Sequence, residues 1–456
     1  MLNILPLALH FLVGFHLWQD EPAQQDALSP PRSPSNTFRL RHQHAVSNST
    51  RIVFSDAPSS NLIAESYPYE VSTTNVRSHR PSSQSAFHSA RFRSIRYDQS
   101  EKVLWDDVDI VGPNVQDRQT LLTLAKMTNN AYFEPGETGW YDQSGWNTSY
   151  PFGWEPDADG FRGHIFVSDD NSTVVLSIKG TSAGWLAGGG GPTVKKDKLN
   201  DNLLFSCCCA RVGPTWYPVC DCFSGGYKCD QTCLEKSLVE DSLFYSVGTN
   251  LYNNITYMYP NANIWMTGHS LGGSLASLLG VTFGVPVVAF EAPGEKLAAA
   301  RLHLPSPPST QHITHIYHTA DPIPMGVCTG VTSTCAIGGY ALESKCHLGQ
   351  VARYDTVSKL QWSVDVRTHP IKVIIEKLLA EDWNWEPPKN DTAGRKDSTI
   401  NRKGLGWHWG GGGSDKDKDK DGDKDTTPKR AVPLLQDEED CVDCFNWEFG
   451  NFKGAK

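Results

Sequence analysis

"IWMTGHSLGG", residues 264 to 273, is the stretch on which the reading of this chain turns. Residues 264–267 favour a strand, and a long apolar run rich in small residues follows Gly273. Between them lies Gly268-His269-Ser270-Leu271-Gly272, a G-x-S-x-G pattern. A serine at such a strand-to-helix bend is held in a strained turn, with its hydroxyl presented above the sheet edge. Side chains at the two glycine positions would collide with the neighbouring strand and helix. The helix that follows directs its N-terminal amides at the serine, so the amide of Leu271 is a candidate donor to an oxyanion. A plain turn with a capping serine uses the same residues, so partners elsewhere must decide.

A serine hydroxyl is inert until a base takes its proton. On this kind of bend the order along the chain is serine, then acid, then histidine. Asp321 fits the acid: "ITHIYHTADPIP" reads as a strand ending in Ala-Asp-Pro. Three histidines follow it. His408 sits in a Gly/Trp-rich segment and is a poor base. His347 in "SKCHLGQ" is the runner-up, and His369 in "VRTHPIK", just before a final helix, is the choice. His269 should point away from the serine and is read as packing. Gly180 and Thr181 in "VVLSIKGTS" supply a turn and a second oxyanion donor, through the Thr181 amide or hydroxyl. Such a set needs neither a metal nor an organic cofactor.

Around these residues, strands alternate with helices. A helix is expected in "DVDIVGPNVQDRQTLLTLAKMTNNAYF", where Leu121, Leu122, Leu124, Ala125 and Met127 suit one face. Phe161 to Val167 and Thr173 to Ile178 read as a hairpin around "DDNS". "EDSLFYSVGTNLYNNITYMYP" reads as an amphipathic helix ending before Pro260. "ANIWMT", "VPVVAFEAPG" and the Asp321 strand complete the set, with "HPIKVIIEKLLAEDW" as the last helix. This alternation predicts an α/β sheet with crossover connections, over roughly residues 101 to 385. The stretch "GGGGPTVKKDKLNDNLLFSC" is either a lid hinged at Gly188 to Gly191 or a surface loop.

The flanks read differently. Residues 19 to 100 are rich in Ser, Pro, Gln, Arg and His and read as a loosely ordered arm. Residues 386 to 456 read as a low-complexity linker and a cysteine-containing tail. In the linker, Asp417, Asp419, Asp421 and Gly422 mimic part of a calcium loop, but Pro428 stands where a bidentate Glu is required. The tail's C-x-x-C is read as a local disulfide or a contact patch rather than a redox pair, because no thioredoxin-like context surrounds it.

The 456 residues carry a net charge of -10, which gives no reason to expect nucleic-acid binding. Seven of the 12 cysteines fall between Cys207 and Cys233. That window holds no histidine and no C-x-x-C knuckle, so disulfides are expected rather than zinc. Residues 2 to 18 are nearly all apolar and carry no Lys or Arg. As a helix they would span about 25 Å, so the segment 1 to 18 reads as a signal peptide or signal anchor. Asn48, Asn147, Asn171, Asn254 and Asn390 each begin a glycosylation sequon. Leader, sequons and cysteines together place the chain in the secretory pathway.

"IKGTS", "TGHSLGGSLASLLG", "FEAPGE" and "HTADPIP" together resemble the class 3 lipases, which are α/β-hydrolases. With "DNLLFSCCCARVGPTW" and "VCDCF" the chain is more similar still to the fungal autophagy-related vacuolar lipases. The resemblance covers roughly residues 100 to 385 and the apolar leader. It implies a single-pass type II membrane protein with a lumenal lipase domain, reaching the vacuole through endosomes and multivesicular bodies. It implies hydrolysis of phospholipid and triacylglycerol there, breaking down autophagic bodies and internal vesicles. Ser270, Asp321 and His369 match the family's triad in order. Two alternatives remain open: a general lumenal serine esterase or peptidase on the same fold, and a non-enzymatic membrane-tethered binding module.

Overall fold

The computed structural model describes residues 35–46, 52–56, 69–135, 137–141, 160–168, 171–182, 193–211, 218–380, 432–438 and 440–452. The apolar leader, Asn48, Asn147, Asn390, Gly188 to Gly191, His408 and the calcium-loop mimic lie outside them. Among the described residues no helix is long and apolar enough to cross a membrane.

The sheet is built from β1 (Ser35–Val46), β2 (Ile52–Asp56), β3 (Tyr69–Pro81), β4 (Trp105–Pro113), β5 (Gly163–Ser168) and β6 (Thr173–Ile178). After β7 (Lys228–Asp230), which lies elsewhere, it continues with β8 (Asn263–His269), β9 (Val287–Phe290), β10 (Ile313–His318), β11 (Gln350–Tyr354) and β12 (Gln436–Asp437). The strand order is β12-β11-β10-β9-β8-β6-β5-β1-β3-β4, with β2 paired to β1. From β6 through β11 neighbouring strands are parallel, and the flanks are antiparallel. Parallel strands need crossovers, and the alternating helices predicted from the sequence supply them.

Parallel strands covered on both faces read as continuous apolar runs, and β6 and β9 are buried throughout their length. Alternate residues divide between two cores. Val174, Leu176, Ile178, Ile264 and Met266 face one, with α6 (Leu271–Phe283) and α5 (Leu243–Met258). Val175, Trp265, Val288, Phe290 and Ile316 face the other, with α2 (Arg118–Asn130) and the final helix. That final helix starts at Ile371–Val373 and continues as wider π turns over Ile374–Leu379. The helix expected before Pro260 is α5, and a separate helix, α4 (Gln231–Asp241), precedes it across a break at Ser242.

Part of the expected loose arm is regular structure. β3 pairs with β4, and α1 (Gln84–Tyr97) buries Phe87 and Ala90, with Phe87 in the main core. Composition hid this because the docking is largely polar. The Ser78 hydroxyl and the Arg80 guanidinium donate to the Gly284 carbonyl, and Arg91 donates to the Leu302 carbonyl. Of the lid-or-loop stretch, Val194–Phe205 is helix α3, with Leu203, Leu204 and Phe205 buried in the core.

All 12 cysteines are paired, in six disulfides. Cys208–Cys229, Cys209–Cys220 and Cys222–Cys233 staple the insert, and Cys328–Cys335 closes a short loop. The sulfurs of Cys209, Cys220 and Cys222 come close enough together to suggest a metal site, but disulfide sulfur is not the thiolate that zinc requires. The expected local disulfide of the tail is not what forms. Cys441 bonds Cys346 and Cys444 bonds Cys207, so the C-x-x-C cross-links two separate parts of the body. The tail strand β13 (Glu448–Gly450) then pairs with β7.

Candidate active site

β8 delivers Ser270 to the bend before α6 with φ 56° and ψ -131°, outside the ordinary regions for an L-residue. The Ser270 amide donates to the Phe290 carbonyl at 3.0 Å, which pins the bend to β9. The glycines are required by close approach. A methyl group at Gly268 would run into the backbone of Gly272 and Gly273, and one at Gly272 into the carbonyls of Ile178 and Lys179. Leu271 opens α6, so its amide is among the first-turn N–H groups that lack an intrahelical acceptor.

Three distant residues meet here. His369 Nε2 lies 2.9 Å from Ser270 Oγ, and His369 Nδ1 lies 2.6 Å from Asp321 Oδ2. Asp321 is fully buried and Ser270 is 7% exposed. The Ile323 amide donates to the other Asp321 oxygen at 3.0 Å. Burial works to raise the Asp321 pKa, but His369 and the hydrogen bonds to the carboxylate outweigh it and hold the group below its ordinary range. A fixed carboxylate therefore holds Nδ1–H, which leaves Nε2 free to accept the serine proton. His347 is excluded as the base: its ring bonds Glu438 and the Ala292 carbonyl.

The loop carrying His369 is a short 3-10 turn, Val366–Thr368, capped by the Asp365 side chain. Two hydrogen bonds tie it to the Asp321 turn: the Thr368 hydroxyl and the Asp365 amide both donate to the Ala320 carbonyl, at 3.0 Å. His269 is more than packing. Its Nε2 donates to the His369 carbonyl at 2.9 Å, and its Nδ1 accepts from the Tyr132 hydroxyl at 2.7 Å. Burial and the neighbouring His369 push its pKa down to about 3, so it stays neutral in this role.

Gly180 brings the end of β6 against the bend; a methyl group there would lie 3.1 Å from Ser270 Cβ. The next residue, Thr181, has its hydroxyl 2.6 Å from Asp201 Oδ2. Burial raises the Asp201 pKa to about 8, more than the Thr181 hydrogen bond lowers it. Asp197, also on α3, accepts from Lys179 at 3.1 Å and from the Ser182 amide at 2.8 Å. A buried ion pair and a carboxyl thus brace the proposed oxyanion segment from behind. Neither aspartate carries a local motif, and only the packing of α3 on β6 singles them out. Asn171 and Asn254, the described sequons, are exposed.

An α/β sheet with a serine bend, a histidine and a buried aspartate in contact is the arrangement of a serine hydrolase of the α/β type. The family described as "Lipase (class 3)" matches residues 209–284, which include the serine bend. A protein of Cryptococcus neoformans var. neoformans serotype D described as "Putative lipase ATG15" is 54% identical over 372 residues, covering 76% of this chain and 70% of its own. A protein of Mycosarcoma maydis with the same description is 47% identical over 365 residues, covering 77% and 70%. One from Saccharomyces cerevisiae (strain ATCC 204508 / S288c) is 50% identical over 361 residues, covering 77% and 60%. The chain belongs to this ATG15 lipase family. Among solved structures, the Lip2 lipase of Yarrowia lipolytica is 17% identical with a TM-score of 0.26, over 50% of this chain and 76% of that one, too loose a likeness to carry an argument.

Proposed function

We propose that the chain is a serine lipase in which Ser270, His369 and Asp321 form the catalytic triad. The contact that carries this reading is the 2.9 Å approach of His369 Nε2 to Ser270 Oγ. Ser270 Oγ attacks the ester carbonyl carbon as its proton passes to His369 Nε2. The imidazolium that forms is stabilised by Asp321. The carbonyl oxygen becomes an oxyanion, held by the Leu271 amide and by Thr181. Collapse of the tetrahedral intermediate expels the alcohol, which takes the proton from His369. Water, activated by the same imidazole, then releases the fatty acid. The chemistry calls for no metal or organic cofactor.

The substrates are phospholipid and triacylglycerol esters, and the setting is the vacuole lumen, where the enzyme breaks down autophagic bodies and multivesicular-body vesicles. Support comes from the lipase relatives and from six disulfides, which form and persist in oxidising compartments. The exposed Asn171 and Asn254 sequons fit passage through the secretory pathway as a glycoprotein. The apolar leader suits a single-pass anchor in the endosomal membrane.

Ser270→Ala tests the reading. Against wild type on phospholipid vesicles, triolein emulsions and a short-chain ester, the variant is expected to lose at least a thousandfold in kcat on all three. Unchanged turnover would remove the enzyme from consideration and leave the binding module. Wild-type action on the short ester alone would leave a general esterase.

A further inference from the structure

Beside Asp321 lies a carboxyl group that the reaction sequence does not use. Glu291 directly follows β9, with φ 45°, in the left-handed region where a glycine would be unstrained. Its amide donates to the Ile316 carbonyl at 3.0 Å, so the backbone is fixed between β9 and β10. The side chain is fully buried. A charged residue that is both strained and dry persists only where the surroundings hold it.

No N–H or side-chain O–H donor meets either Glu291 oxygen at ordinary hydrogen-bond geometry. The His318 ring nitrogen Nε2 is 3.6 Å from Oε1, beyond hydrogen-bond length, and bonds the Thr368 carbonyl at 3.2 Å. The His318 amide and the Asp321 carboxylate face the group. Of the nearby ionisable groups, Tyr317 bonds Glu438 and His369 bonds Asp321. Two carboxyl groups buried against one another cannot both ionise. Asp321 has two hydrogen-bond donors, the His369 ring and the Ile323 amide. Glu291 is faced by a single donor, the His318 amide, so the proton belongs on Glu291.

We infer that Glu291 is a positioning residue for the triad: a neutral, buried carboxylic acid whose O–H donates to Asp321 and fixes the carboxylate that orients His369. Burial, followed by the charge of Asp321, drives its pKa well above the usual carboxylate range, in agreement with that placement of the proton. Donation to Asp321 also draws negative charge away from the His369 side of the carboxylate. Without that donor Asp321 would be a stronger acceptor toward the His369 ring.

The inference rests on the triad reading, and Ser270→Ala tests that reading separately. Glu291→Gln retains an N–H donor in the same place, whereas Glu291→Gly removes the donor and relieves the backbone. Each variant is assayed for kcat and KM across pH and normalised to the fraction of sites labelled by an active-site-directed phosphonate. For Glu291→Gln, kcat is expected within about threefold of wild type, with an unmoved acid limb. For Glu291→Gly, kcat is expected to fall about tenfold at unchanged KM, the scale of one lost charge-assisted hydrogen bond. Its acid limb is expected to move up by roughly half a unit to one unit of pH. A Glu291→Gly profile that overlays wild type would reduce Glu291 to packing. A Glu291→Gln limb that moves down would mean Glu291 is ionised in the native enzyme, and either result overturns the inference. If Glu291→Gly fails to fold, the direction of the Glu291→Gln limb decides.

Discussion

His269 Nε2 hydrogen-bonds the backbone carbonyl of His369 at 2.9 Å, so the residue before the serine holds the loop that carries His369. Ser270 and His369 are therefore registered against each other through one side chain as well as through their own contact. Truncating His269 to Ala frees the loop and also removes the acceptor of the Tyr132 hydroxyl proton. We expect kcat to drop between about tenfold and a hundredfold, as small misplacements of a base do. Steady-state kinetics on a soluble ester measure this. Activity within twofold of wild type would show that the loop is held by its other bonds alone.

Gly272 admits no side chain, because an added methyl group would meet the carbonyls of Ile178 and Lys179 at the end of β6. Backbone cannot move aside as a flexible side chain can. Gly272→Ala should therefore destabilise the domain by about 3 kcal/mol or more, as overpacking of a dense core does. Chemical denaturation monitored by tryptophan fluorescence reads it. A loss below about 1 kcal/mol would contradict the steric account.

The Cys207–Cys444 bridge joins residues 237 apart in sequence. The double variant Cys207→Ser/Cys444→Ser removes this link while β13 still pairs with β7. Loss of a long-range disulfide typically costs about 2–5 kcal/mol. The expected result is a lower Tm and faster proteolysis of the tail. A Tm within about 1 °C of wild type would mean that the tail contributes nothing through this bond.

His347 and Glu438 make a partly buried pair, with His347 Nδ1 3.0 Å from Glu438 Oε2. Burial alone would lower the His347 pKa, but Glu438 and Glu295 raise it above the ordinary value. Its stabilising charge is present below about pH 6.5 and is lost as pH rises through the raised value. Glu438 shifts the other way. Burial opposes its ionisation, yet His347 brings its pKa down to about 2. Its contribution is present above its unfolded value of about 4.3 and is lost as pH falls toward about 2. Both partners are charged between those limits. Glu438→Gln should therefore cost most between about pH 4.5 and 6.5, on the order of 2 kcal/mol, and less at pH 8. Denaturation midpoints of both proteins at several pH values give the difference, and a cost independent of pH would reject the ion pair.

The strands and helices around the serine were legible because they rest on local pattern. β6 runs over Thr173–Ile178 as the hairpin reading expects, and the bend falls at Ser270. Asp321 and His369 were legible by their order along the chain and by the elements on which they stand. The hidden parts work through contacts distant in sequence. α1 docks through Gln84 and Arg91, whose side chains reach backbone carbonyls, so its polar sequence resembles an arm. Asp201 and Glu291 are ordinary acidic residues until the fold buries them, one behind Thr181 and the other beside Asp321.

By itself, then, the sequence determined that a serine would stand at a cramped bend in an α/β sheet, because glycine spacing and apolar periodicity are properties of neighbouring residues. It also determined that the chain would be rich in disulfides, because cysteine number and clustering are compositional. Which cysteines pair, what His269 holds in place, and which carboxyl keeps its proton were decided only by the tertiary structure. Those outcomes depend on distance and desolvation between groups up to 237 residues apart, and neither quantity exists until the chain has packed.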